Sequence, residues 1–146
     1  MITISLTKSI NATADDVHSA LLEHDKLGRF FNGSFSVKQP AKCTSGAGLI
    51  REITMRGEKF CEEVIAVTQH CIHYRIIGNK PLKNHYGSIH VIDRDNGCKI
   101  NYLITCQALW WQPSFVVKKI INQDISHGLT KLAEHFNGRS INSSRN

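Results

Sequence analysis

Hydrophobic and polar positions alternate with period two over most of the chain, and this rhythm gives way twice to a helical one. "MITISLTKSI" sets Ile2, Ile4 and Leu6 against Thr3, Ser5 and Thr7, which predicts a half-buried strand. In "NATADDVHSALLEHDKLGRFF" the apolar spacing becomes that of a helix through Ala14, Val17 and Leu21. Thr13 stands as N-cap with Asp16 three residues on, and Gly28 breaks a second short helix running toward Phe30 and Phe31. From "GSFSVKQP" the period returns to two, punctuated at Pro40, Gly46 to Gly48, Gly57, "GNKP" and "DRDNG". Six strands are predicted: about Ser34 to Lys38, Gly48 to Met55, Lys59 to Thr68, Cys71 to Ile77, His85 to Asp93 and Lys99 to Ala108. Their short turns imply an antiparallel meander, since parallel strands require long crossovers.

"PSFVVKKIINQDISHGLTKLAEHF" reads as one long helix, with Pro113 in its first turn and Gly138 as its C-cap. Val116, Ile120, Ile121, Ile125, Leu129, Leu132 and Phe136 form its apolar stripe. After a curved antiparallel sheet, that stripe has only the sheet to pack on, so the fold class is α+β. At 146 residues the chain fits one domain with a core that needs no metal or disulfide staple, and "GRSINSSRN" has the composition of an unpacked tail.

Alternation within the strands assigns faces. With Leu49, Ile53 and Met55 inward, Arg51 is inward; with Cys61, Ile65 and Val67 inward, Glu63 joins it. Ile72, Tyr74 and Ile76 follow, then His85, Ile89 and Val91, then Ile100, Tyr102, Ile104 and Cys106. Glu52, Arg56, Glu62, His73, Arg75, His90 and Lys99 fall on the outer face. The pattern therefore pairs Arg51 with Glu63 in the interior, because either charge buried alone would be costly. Two readings follow: an ion pair that fixes sheet register, or the polar wall of a hydrated cavity that also holds Tyr74, His85 and Tyr102.

Charge and cysteine content narrow the partners. The net charge of +6 is spread from Lys8 to Arg145 without a basic block, so a nucleic-acid partner is not indicated. Five cysteines, an odd number without CxxC spacing, point to free thiols and a cytoplasmic location. No apolar run approaches the length that spans a bilayer as a helix. Metal and cofactor sites are not expected. His70 and His73 of "QHCIHY" fall on opposite strand faces, His127 and His135 are too far apart on a helix, and a strand rather than a helix follows Gly46 to Gly48.

"GLIREI", "CEEVIAV", "HYRIIGNKPL" and "HYGSIHVI", in this order of elements, resemble the bacterial START-like (SRPBCC) proteins of the polyketide cyclase and dehydrase type. The positions that carry the resemblance are Gly46, Gly48, Arg51, Glu63, Tyr74, Ile76, Pro81 and Leu82, and it extends over roughly Ile2 to Phe136. It implies a helix-grip fold: a seven-stranded antiparallel sheet curved around the C-terminal helix, forming one ligand-binding domain over residues 1–138, with a flexible tail at 139–146. It also implies a cavity for a small, largely hydrophobic molecule: a lipid, a polyketide, an isoprenoid or an aromatic. Arg51, Glu63, Tyr74, His85, Tyr102, Ile53, Ile65 and Ile89 would contact that molecule, with Trp110 near its mouth. A cyclase or dehydratase would take Glu63 or His85 as acid or base, and a macromolecular partner module is a third class. Homodimerisation stays open on sequence alone.

Overall fold

The computed structural model describes residues 1–145, with side chains described through residue 137. The chain forms β1 (Ile2–Ile10), α1 (Ala14–Leu21), a 3-10 helix (His24–Arg29), β2 (Ser34–Gln39), β3 (Ile50–Met55), β4 (Glu58–Thr68), β5 (Cys71–Ile76), β6 (Lys83–Arg94), β7 (Gly97–Gln107) and α2 (Ser114–Arg145). All seven strands lie in one antiparallel sheet in the order β1-β7-β6-β5-β4-β3-β2. The meander supplies every neighbour except β1, which returns beside β7, so the helices between β1 and β2 cross from one edge of the sheet to the other.

Local chemistry explains the joints. Thr13 Oγ1 accepts the Asp16 N–H at 3.1 Å and starts α1, while Asp93 Oδ1 accepts the Ala14 N–H at 3.1 Å and ties that start to β6. The β3–β4 turn places Arg56 and Gly57 at φ of 53° and 79°, the left-handed pair that a two-residue hairpin requires. α2 continues through Gly138 to Arg145 instead of ending at the expected C-cap, and the side chains of the expected tail at 139–146 lie outside the described residues.

The core joins both helices to the concave face of the sheet through Val17, Leu21, Phe30, Val64, Ile72, Ile100, Leu129, Leu132 and Phe136. On α2 the predicted stripe holds from Leu129 onward, but its first turn buries Val117 and leaves Val116 38% exposed. Gly128 sets how closely α2 approaches the chain just after the 3-10 helix, because a Cβ there would lie 2.2 Å from the Phe31 ring.

The strand faces follow the predicted alternation in β3, β5, β6 and β7, where Arg51, Ile53, Ile72, Tyr74, Ile76, His85, Ile89, Ile100, Tyr102, Ile104 and Cys106 are buried. In β4 they do not. The β4–β5 ladder pairs Val64 with Tyr74 and then Ala66 with His73, leaving Ile65 as the extra residue of a bulge. Past the bulge Val67 packs on the core as expected; before it the parity is inverted, so Glu62 and Val64 are buried and Ile65 is 41% exposed. Uniform alternation cannot cross a bulge, and the inward assignment of Cys61, Glu63 and Ile65 is corrected accordingly.

Candidate functional site

A cavity of about 260 Å³ lies between the concave face of the sheet and α2. Its walls are mainly apolar, with Phe35, Ile53, Phe60, Ile72, Ile89 and Ile125 among them. Ile120, Ile121 and Ile125 of α2 are only partly covered because they face this space instead of packed neighbours. At the rim, Arg56 of the β3–β4 turn donates to both carboxylate oxygens of Asp124 on α2, at 3.0 and 2.6 Å, clasping sheet to helix.

The polar wall is built on Arg51. Register places Arg51 directly opposite Glu62, and Arg51 Nε and Nη2 both donate to Glu62 Oε1, at 3.0 and 2.7 Å. Nη1 donates to His24 Nδ1 at 3.0 Å, and the guanidinium lies 5.0 Å from the centre of the Tyr74 ring. Three of the five N–H donors of an arginine are thus spent on protein. Burial is the largest single influence and works against the charge of Arg51, but the charge and hydrogen bonds of Glu62, together with Tyr74 and Tyr102, outweigh it, and the guanidinium is held above its ordinary pKa. His24 is pushed down to about 4, chiefly by burial and then by Arg51, so it serves Arg51 as a neutral acceptor.

Glu63, expected as the partner of Arg51, lies on the outer face, where Arg75 donates to it at 2.9 and 3.1 Å. The double glutamate of "CEEVIAV" thus supplies one inner and one outer carboxylate, and the bulge at Ile65 decides which is which. Trp110, expected near the mouth, is 90% exposed and does not line the cavity. Arg51, Tyr74, His85, Tyr102, Ile53 and Ile89 are brought together there; Glu63, Ile65 and Trp110 are not. Sequence reasoning missed Glu62, Phe60, Phe35 and His24. The signal for the first two was the adjacent-glutamate ambiguity itself; His24 and Phe35 reach the site only through tertiary packing.

Tyr74 and Tyr102 hydrogen-bond to each other through their hydroxyls. Gly87 makes room for this, since a Cβ there would sit 2.4 Å from the Tyr74 ring. Burial raises both phenols, Tyr74 further by Tyr102 and Tyr102 further by Glu62, so both stay protonated. One hydrogen bond between two hydroxyls uses one of two protons and leaves the other as a donor. His85 Nδ1 accepts the Ile76 N–H at 3.1 Å, which places the proton of the neutral ring on Nε2. Burial lowers the pKa of His85, and the Arg51 charge lowers it further against the opposing pull of Glu62. Its accepting nitrogen is therefore occupied and its other nitrogen is a donor, the wrong arrangement for a general base.

The matched family profile is that of polyketide cyclase / dehydrase and lipid transport proteins, over residues 1–137. The chain belongs to the polyketide cyclase / dehydrase and lipid transport family. Among solved structures, a START superfamily protein from Mycobacterium smegmatis aligns over 94% of this chain and 99% of its own, at 11% identity and a TM-score of 0.80. The protein XoxI from Bacillus cereus aligns over 93% and 96%, at 15% identity and a TM-score of 0.74. The di-domain ARO/CYC StfQ of the steffimycin biosynthetic pathway aligns over 95% of this chain and 51% of its own, at 11% identity and a TM-score of 0.77. No curated protein sequence matches the chain. At these identities the structural neighbours establish the helix-grip fold, and membership of the polyketide cyclase / dehydrase and lipid transport family supports a ligand-binding or cyclase role. No helix among the described residues is long and apolar enough to cross a membrane.

Proposed function

We propose that the protein binds a compact, largely apolar molecule with an uncharged hydrogen-bonding end, such as a phenol, alcohol or ketone on an aromatic or isoprenoid frame. The observation that carries this reading is the state of Arg51 inside the apolar cavity: Glu62 already neutralises it at 2.7 Å. An added carboxylate would enter a buried pair with no net charge and would lose its hydration with little return. A neutral head would meet the spare phenolic proton of the Tyr74–Tyr102 pair and the N–H of His85 as donors. It would also meet Glu62 Oε2, which has no protein donor among the described residues, as acceptor. The cavity lies just below the usual range of ligand pockets, which suits a compact molecule, and apolar contact would contribute about 2.5 kcal/mol per 100 Å² covered.

Binding is favoured over a cyclase or dehydratase reaction. Glu63 is outside the cavity, the acceptor nitrogen of His85 is occupied, and Glu62 is engaged by Arg51. The test compares 2-naphthol with 2-naphthoate, one ring system with a neutral and a charged head, by equilibrium dialysis against the purified full chain. Naphthol should bind at least tenfold more tightly and weaken severalfold in Tyr102→Phe. Tighter binding of naphthoate, lost in Arg51→Met, would return Arg51 to the role of anion anchor and overturn the proposal. Native mass spectrometry of gently purified protein, with extraction of any retained molecule, gives an independent check on the class of ligand.

A further inference from the structure

On the face of the sheet away from the cavity, Cys71 and His73 project from β5, alternating with the inward Ile72 and Tyr74. His90 stands directly opposite Cys71 on β6. We propose that Cys71, His73 and His90 form a binding site for a divalent transition-metal ion of the zinc class, with a fourth position left to solvent. One ligand atom from each lies within 4.8 Å of the others, the one such grouping of three metal-ligating side chains among the described residues. Cys71 Sγ and His90 Nδ1 are 3.1 Å apart, and the His73 and His90 rings meet edge to face with centres 5.6 Å apart. Zinc bonds of about 2.3 Å to sulfur and 2.0 Å to nitrogen in a tetrahedron put neighbouring ligand atoms roughly 3.3 to 3.6 Å apart, so small side-chain rotations close the set around an ion.

The donor set selects the metal. One thiolate and two imidazoles are borderline-soft ligands, suited to zinc and its neighbours in the first transition row and poorly suited to magnesium or calcium. Coordination converts the Cys71 thiol to thiolate and releases its proton to water. The surroundings supply the outer hydrogen bonds that metal-ligating histidines use. His73 Nδ1 is held by the Tyr86 hydroxyl, which fixes the ring and leaves Nε2 to coordinate. Asn101 is paired with His90 across β6 and β7, and its Oδ1 is the one sealed side-chain oxygen among the described residues that lacks a donor; it is an acceptor for the Nε2–H of a His90 bound through Nδ1. Only four residue pairs join β5 to β6, so an ion bridging them would staple the shortest ladder of the meander.

Alternation along this one strand predicts no metal site, because His70 and His73 fall on opposite faces of it. The completing ligand, His90, is contributed by a separate strand.

The experiment is a cobalt(II) titration of the metal-free full chain followed by absorbance. The expected result is one equivalent bound, with a thiolate-to-cobalt charge-transfer band and the visible bands of a tetrahedral ion, both removed on adding zinc. Cys71→Ser should abolish the charge-transfer band, His90→Gln should weaken binding at least tenfold, and Cys43→Ser, which removes the one fully exposed thiol, should change neither. Zinc should also raise the unfolding midpoint of the parent and raise that of His90→Gln by less at the same zinc concentration. Loss of the band in Cys43→Ser, its survival in Cys71→Ser, or cobalt bound without thiolate absorption would each overturn the proposal. Far-UV circular dichroism verifies that these outer-face variants remain folded.

Discussion

Glu62 and Glu63 are adjacent and identical in type, yet the fold gives them opposite roles, and the substitution of each by Gln separates those roles. The side chains of Glu62 and Arg51 are 9% and 6% exposed, and two hydrogen bonds join them through one oxygen. Neutralising Glu62 leaves the Arg51 charge buried against a neutral histidine and the Tyr74 ring, a loss of the kind that costs about 3 kcal/mol. The side chains of Glu63 and Arg75 are 27% and 58% exposed, where solvent screens the pair and its removal costs less than about 1 kcal/mol. Urea unfolding of both variants at pH 7, with equal m-values, reads the two numbers directly. A domain of this size is stabilised by only about 5 to 15 kcal/mol, so the Glu62→Gln loss appears as a large fall in midpoint. The double variant Arg51→Met, Glu62→Leu removes both charges together and should recover most of the loss, while emptying the polar wall of its ion pair. Equal costs for Glu62→Gln and Glu63→Gln, or a larger one for Glu63, would refute the inverted parity of β4 and with it the placement of the site.

Further expectations follow from the same geometry. Gly128→Ala should destabilise by at least about 1 kcal/mol in thermal unfolding. Alanine normally favours a helix, but here its methyl meets the buried Phe31 ring at 2.2 Å. His24 drops from its ordinary 6.5 to about 4 on folding, so the unfolded chain binds more protons across that interval. Stability from this group is complete above pH 6.5 and falls by about 3 kcal/mol as pH drops to 4. Urea midpoints from pH 7 to 4 should therefore fall less steeply in His24→Gln, which retains an acceptor for Arg51. Tyr74 and Tyr102 should add no tyrosinate absorbance in an alkaline titration until the protein unfolds, because burial holds both phenols above their ordinary value. Gly87→Ala should disturb that hydroxyl pair, seen as earlier tyrosinate absorbance and a lower unfolding midpoint.

Every element and its order were legible in the sequence, because apolar and polar residues alternate along the strands between turn residues and α2 carries a helical stripe that needs a partner. The sequence also determined that a charge must enter the core at Arg51, since three apolar neighbours of the same parity fix that face. Motif resemblance carried the helix-grip arrangement and its cavity. The tertiary structure decided the rest wherever a contact crosses elements or interrupts a period. The bulge at Ile65 exists because β4 and β5 differ by one residue along their shared ladder, a mismatch that neither strand records alone, and it exchanges Glu63 for Glu62 as the partner of Arg51. His24 reaches Arg51 from a segment 27 residues earlier, and His90 reaches Cys71 from across a turn. Local periodicity reports which way a side chain points; pairing register and packing determine what it meets there.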